Sequence, residues 1–294
     1  MQNVFVNITI FRKTIYTGTS TAISSRKTTV QTRPRLQRQN DIQVYTEKRN
    51  IADLAVVSQD SLLVCIGYEL KVELVSRQMG KVLSQLDLEG EPWRVCLVGS
   101  SRAAVTLGRT QKVQLIKIKG NTLVKDKVLD MSHSVWGITT SGDNLVVTYM
   151  EQPWLEVITT DGKVLHQFHS TGETQHFKSP YFITTSPDGT LWVSDHGNNT
   201  ITKLDASLTI LQTFTSPLLQ WPHGITAVTE DEILVCSKRN NSLVLLQPST
   251  NTMSTLLGKD DGIESPHSLI YFPQERKIFV APSYTDSINV FKFT

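Results

Sequence analysis

The chain is expected to be all-β, a closed six-bladed β-propeller, on three observations. A four-strand pattern recurs six times along its 294 residues. The copies are spaced 41 to 45 residues apart, and the last copy is one strand short while a strand-like segment precedes the first. Four short strands per unit of about 40 to 45 residues is the spacing of a propeller blade.

The most legible copy begins at Pro180, where FITTS, a PDG turn, TLWVS, an HGNN turn, TITKLD and TILQTF follow in order. First strands centre on Leu54, Val95, Ile138, Ile183, Ile225 and Leu269. Second strands read LLVC, AAVTL, NLVVTY, LWVS, ILVCS and KIFVA. Third strands read KVELV, KVQLI, LEVIT, ITKLD, LVLLQ and INVFKF. Fourth strands appear five times, as KVLSQLDL, TLVKDKVL, KVLHQFHS, TILQTFT and TMSTLLG.

The missing sixth outer strand predicts how the ring closes. An unpaired strand edge invites aggregation. The segment IQVYT, residues 42–46, has strand character and is expected to lie beside INVFKF as the outer strand of blade 6. Turn chemistry agrees with the repeat: Gly142-Asp143, Asp161-Gly162 and Asp188-Gly189 are hairpin signals. Pro92, Pro180, Pro222 and Pro266 each open a first strand, where a missing N–H leaves no ladder bond unmade.

Composition sets further bounds. The chain is 39% hydrophobic and 19% charged, ordinary for a globular protein. No apolar run reaches the roughly 18 residues of a membrane helix, so no membrane partner is expected. Cys65, Cys96 and Cys236 all fall in apolar strand runs without CxxC spacing, which predicts buried free thiols in a reducing compartment. The expected location is the cytoplasm. Residues 1–40 hold seven Lys/Arg and no Asp/Glu, leaving 22 basic and 27 acidic residues, a net of −5, for the rest. A net-negative propeller disfavours a phosphate-backbone partner, DNA above all.

Once these strands are in place, SPDGTLWVSDHGNNTITKLD resembles an NHL repeat: a PxxI strand, a DG turn, a V-x-D strand end and a following polar-turn strand. Residues 92–108 and 222–246 look like diverged copies. The run as a whole resembles the C-terminal propeller of invertebrate tripartite-motif proteins. That resemblance implies a protein- or RNA-recognition module, the substrate-recognition part of a ubiquitin ligase. The RING and B-box are missing, since no Cys/His cluster has zinc-ligand spacing, so ubiquitin transfer is not expected of this chain.

A ligand is expected at one mouth of the central channel. The residue two before each first-strand anchor should ring it: Ala52, Trp93, Trp136, Tyr181, His223 and His267. Loops from second to third strands should lie on the same face and bring Tyr68, Glu69, Arg109, Glu151, Gln152, Trp154, Asp195, His196, Lys238, Arg239, Tyr284 and Asp286. Amphipathic rings of this kind are enriched at interfaces. The expected activity is non-catalytic recognition of a protein or peptide at Trp93, Trp136, Tyr181, His223, His267, Tyr68, Arg109, Trp154, His196, Arg239 and Tyr284. The second expectation is RNA stacking on the same face. For each ring singly, packing between blades is the simpler account.

No catalytic, cofactor or metal residue is assigned. Propellers of the related lyase type resemble this chain in carrying His after Pro on the first strand, as at His223 and His267. A catalytic zinc usually takes three protein ligands, and the equivalent positions here are Ala52, Trp93, Trp136 and Tyr181. His133 and His176 lie just upstream of two of these. The first-strand positions, mostly Thr, Val, Ile and Ala, do not supply the acidic set of a calcium lactonase. A divergent lyase or lactonase is the third expectation.

Residues 1–40 break the repeat as a basic, Ser/Thr-rich extension, read as a linker or disordered, with the propeller from 41 to 294. Val4, Ile8, Phe11 and Ile15 fit one helical face, and VFVNITIF fits a strand. An organelle-import signal is the alternative to a linker.

Overall fold

In a computed structural model, residues 36–149, 151–169 and 175–294 are described; the readings of Val4, Ile8, Phe11, Ile15 and VFVNITIF fall outside them. Six antiparallel sheets form a closed six-bladed β-propeller. Blade 1 spans residues 51–87, blade 2 92–130, blade 3 135–169, blade 4 180–215 and blade 5 222–257. Blade 6 joins residues 266–293 to the N-terminal strands Leu36–Arg38 and Ile42–Gln43. Among the described residues the helical elements are two single 3-10 turns, and no helix is long and apolar enough to cross a membrane.

The inner strands are Ile51–Val56, Pro92–Val98, Val135–Ser141, Pro180–Thr185, Pro222–Thr229 and Pro266–Phe272. Each packs on the next, and the last packs on the first, which closes the ring. The core is divided accordingly: six apolar clusters form, one between each adjacent pair of blades. Second strands such as Ser61–Ile66 are buried along their whole length, so they read as continuous apolar runs rather than alternating ones.

A position near the end of each second strand recurs: Cys65, Thr106, Thr148, Ser194, Cys236 and Ala281. In blades 2, 3 and 4 its hydroxyl donates to the next blade's inner strand. Thr106 reaches the Trp136 carbonyl (2.9 Å), Thr148 that of Pro180 (2.8 Å) and Ser194 that of His223 (2.7 Å). Cys65 and Cys236 occupy the same position as buried free thiols, and burial pushes both thiol pKa values up.

The latch differs from expectation in extent. Ile42 pairs with Ile288 and Gln43 with Ser287, while the amides of Val44 and Tyr45 both turn to the Asp286 carbonyl. The strand therefore ends at Gln43, not Thr46. It also begins earlier: Leu36, Gln37 and Arg38 pair with Phe293, Lys292 and Phe291. The reason is length. Ser287–Phe293 is seven residues long, and Ile42–Gln43 covers only its start. The Gln39 amide bonds the Val290 carbonyl between the two stretches. Residues 36–40, read as linker, thus belong to the sheet. Asp41 fixes the bend by accepting from Arg38 (2.7 Å) and Asn289 (3.1 Å).

Candidate functional site

The ring residues owe their direction to a local irregularity. In every inner strand the ladder shifts register across the ring position: between Ile51 and Asp53, Pro92 and Arg94, Val135 and Ile138, Pro180 and Phe182, Pro222 and Ile225, and Pro266 and Ser268. A bulged residue leaves the ladder and its side chain is re-aimed. Six bulges at one level turn Ala52, Trp93, Trp136, Tyr181, His223 and His267 toward the mouth.

Five of the six form a continuous series of ring contacts, tilted for Trp93–Trp136 and edge-to-face for the rest. Ring centroids are 6.1 Å apart for Trp93–Trp136, 4.8 Å for Trp136–Tyr181, 4.6 Å for Tyr181–His223 and 4.8 Å for His223–His267. Contacts of this kind contribute about 0.5–1.5 kcal/mol each beyond their burial. Gly108 makes room for the first indole, because a Cβ there would lie 2.0 Å from the Trp93 ring. Gly224 lets blades 5 and 6 approach, since its Cβ would sit 2.8–2.9 Å from the backbone of residues 267–269.

Ala52 interrupts the series. Where a sixth ring would stand, a cavity of about 730 Å³ opens, lined by Ala52, Tyr68, Trp93, Arg109, Trp136, Tyr181, Lys238, His267 and Tyr284 among others. Tyr68 and Tyr284 stand on its rim, 75% and 61% exposed. A volume in this range suits a small ligand or a short chain segment.

Arg94 forms the floor. It is buried and borders both this cavity and a second one of about 360 Å³ toward the other mouth. Its guanidinium donates to the Ala52 carbonyl at 3.0 Å and to the Trp93 carbonyl at 2.5 Å. The same group lies over the rings of Tyr181 and Phe182, and its Nε has no partner. Asp53, also buried, takes the Val95 amide (3.0 Å) and the Ser268 hydroxyl (2.6 Å). Burial raises its pKa, and the Arg94 charge opposes that rise. Asp53 and Arg94 are the charged exceptions among inner strands that are otherwise mostly Thr, Val, Ile and Ala, and the sequence reading did not single them out. A charge inside DLAVV and RVCLV was the available signal.

Three carboxylates at the mouth are engaged: Glu69 with Arg49 and Lys71, Glu91 with the neutral Trp93 indole N–H, and Asp195 with the amides of Lys178, Ser179, Gly197 and Asn198. The cations are not. Among the described residues Lys238 has one polar side-chain contact, 3.5 Å from the His267 Nδ1, and neither Lys238 nor Arg109 makes an ion pair. Burial, then the Arg94 charge, holds the Lys238 pKa below its ordinary value. His223 and His267 share a hydrogen bond of 2.9 Å between their Nδ1 atoms, so one ring donates and the other accepts. Burial, aided by the Lys238 and Arg94 charges, brings His223 down to about 2 and holds His267 well below 6.5.

Other expected residues fall beside or away from the cavity. His196 joins the ring, 5.4 Å from Tyr181 and 6.0 Å from His223. Arg239 stacks on Trp221, a 48% exposed ring that the sequence reading did not select. Trp154 stands apart from the ring, its ring contacts being His133 and His169. His133 therefore packs outward on Trp154, and the His176 ring lies beside Phe168. No group of three metal-binding side chains forms among the described residues.

The chain is a six-bladed β-propeller with a rimmed, half-aromatic mouth, and solved structures share that fold. A streptogramin B lyase matches with a TM-score of 0.64 at 12% identity, over 88% of this chain and 98% of that one. A Bacteroides thetaiotaomicron protein of unknown function matches at TM-score 0.71 and 12% identity, over 92% and 79%. The Cps50 (Swd1) β-propeller domain of Myceliophteria thermophila matches at TM-score 0.62 and 18% identity, over 83% of each. No protein-family model matches the chain, and no curated protein does.

Proposed function

We propose that this propeller is a non-catalytic binding platform that recognises a protein segment at the Trp93–His267 mouth. The observation that carries the reading is the gap at Ala52: five bulged rings form a wall, and the sixth place is an open cavity. Rigid amphipathic rings around a desolvated pocket are the usual anchors of protein interfaces. The resemblance of residues 186–205 to an NHL repeat supports the same reading and suggests the substrate-recognition role of a tripartite-motif propeller. Three unpaired thiols fit a cytoplasmic setting.

Selection of a random peptide display library on the purified propeller tests this. Enriched peptides are expected to bind the wild type and the Trp154→Ala variant, whose ring stands apart, and to lose the Trp136→Ala/Tyr181→Ala double variant. No enrichment, or equal binding to all three proteins, would overturn the reading.

A second reading, single-stranded RNA, is favoured by the exposed Trp221 beneath Arg239, a stacking surface next to the unpaired Lys238. Filter binding over a salt series separates the two, because affinity for RNA falls steeply as salt rises.

A further inference from the structure

The mouth cavity has a floor and a charge. Arg94 closes it from below, so whatever enters does not thread the channel. Lys238 borders it half-buried with no carboxylate partner, and Arg94 lies beneath, its charge offset by the buried Asp53. Arg109 stands exposed at the rim, also without an ion pair. A buried or half-buried cation without a counter-charge is costly. Of the nearby carboxylates, Glu69 and Asp195 are held by other groups, while Glu91 lines the cavity with the Trp93 indole N–H as its contact and makes no ion pair with Lys238. The His267 Nδ1, 3.5 Å from the Lys238 ammonium, is shared with His223 and brings no negative charge.

We propose that this cavity is a carboxylate site, taking the acid group at the end of a bound peptide against Lys238, with the preceding apolar residue against Trp93 and Trp136. The inference rests on the peptide reading above and names its anchor. The dead-end floor fits a chain terminus. A side-chain carboxylate shares the chemistry, and the two sources are separated by the probes.

The indoles of Trp93 and Trp136 supply the readout. N-acetyl-phenylalanine, its neutral amide, and N-acetyl-aspartic acid α-amide, which carries only a side-chain acid, are titrated against the full chain by tryptophan fluorescence. N-acetyl-phenylalanine is expected to give a saturable change in the millimolar range, with the neutral amide at least about tenfold weaker. Lys238→Gln should weaken the acid by about tenfold and leave the amide unchanged, and Lys238→Arg should restore it. Stronger binding by the aspartyl probe would assign the site to an acidic side chain instead. Arg109→Gln, at an exposed position, repeats the test if Lys238→Gln does not fold. Equal binding of acid and neutral amide, no saturable response to either acid, or no effect of both substitutions would overturn the proposal.

Failure here is distinguishable from failure of the peptide reading. Enrichment of peptides with no acid preference would leave the platform standing without the carboxylate site. Charge-dependent binding of N-acetyl-phenylalanine without any enriched peptide would leave the site and remove the peptide.

Discussion

The Arg94 guanidinium lies over the Phe182 ring, 3.6 Å from its centroid, and this pair closes the throat of the propeller. Both residues follow a ring position directly, so a second tier sits beneath the aromatic mouth. Gly137 and Gly224 occupy equivalent places in blades 3 and 5, where a Cβ would crowd Thr148 and Ile183 in the one case and residues 267–269 in the other. The tier makes the upper cavity a cup rather than a pore.

The throat charges should prove coupled. Arg94→Met keeps much of the side-chain volume but leaves Asp53 buried without the cation that eases its ionisation. A loss of about 3 kcal/mol is expected by urea unfolding. The Asp53→Asn/Arg94→Met double variant should recover most of it. Additive losses would show that the two groups act independently.

Acid should weaken the fold through the histidine pair. His223 and His267 have folded pKa values below the ordinary 6.5. Below pH 6.5 the unfolded chain therefore takes up protons that the folded chain refuses. Stability falls as pH drops, by about 1.4 kcal/mol per pH unit for each histidine. His223→Gln should flatten the decline between pH 6.5 and 5.5 by roughly that amount for one group. The measurement is the urea midpoint at each pH, and parallel declines in the two proteins would contradict the assignment.

Two buried glutamates should respond unequally to loss of a tyrosine hydroxyl. Glu73 accepts from Tyr45 at 2.7 Å and also faces Arg49 and Lys71, each at 3.7 Å. Glu156 accepts from Tyr149 and from Gln167, and among the described residues it makes no ion pair. Burial comes first among the causes that raise both phenol pKa values, with the neighbouring carboxylate reinforcing it. Tyr149→Phe should cost about 2 kcal/mol and Tyr45→Phe less, because of the two only Glu156 lacks an ion pair. Equal costs would indicate that the cations do not compensate Glu73.

The strand order, the six-fold count and the ring positions were legible because side-chain period and turn chemistry repeat every blade. Pro180, Pro222 and Pro266 mark strand starts, and counting from them finds Tyr181, His223 and His267. The bulges were not legible, since a bulge of one residue leaves no compositional mark. Trp154 shows the limit of loop counting: expected in a loop, it opens the strand Trp154–Ile158 opposite His169, and its ring packs on His133 and His169. The latch was placed one segment late because Leu36–Arg38 carries a single apolar residue and reads as linker. Its pairing is imposed by the length of Ser287–Phe293.

The most direct test of the mouth is to supply the missing ring. Ala52→Phe places an aromatic side chain where the other five blades carry one and should intrude on the cavity, at a cost in stability of about 1–3 kcal/mol because Ala52 is itself buried. For a peptide enriched on the wild-type protein, isothermal titration on the folded variant should show affinity reduced at least about tenfold, equivalent to about 1.4 kcal/mol. Undiminished affinity in a folded Ala52→Phe protein would contradict recognition through this cavity.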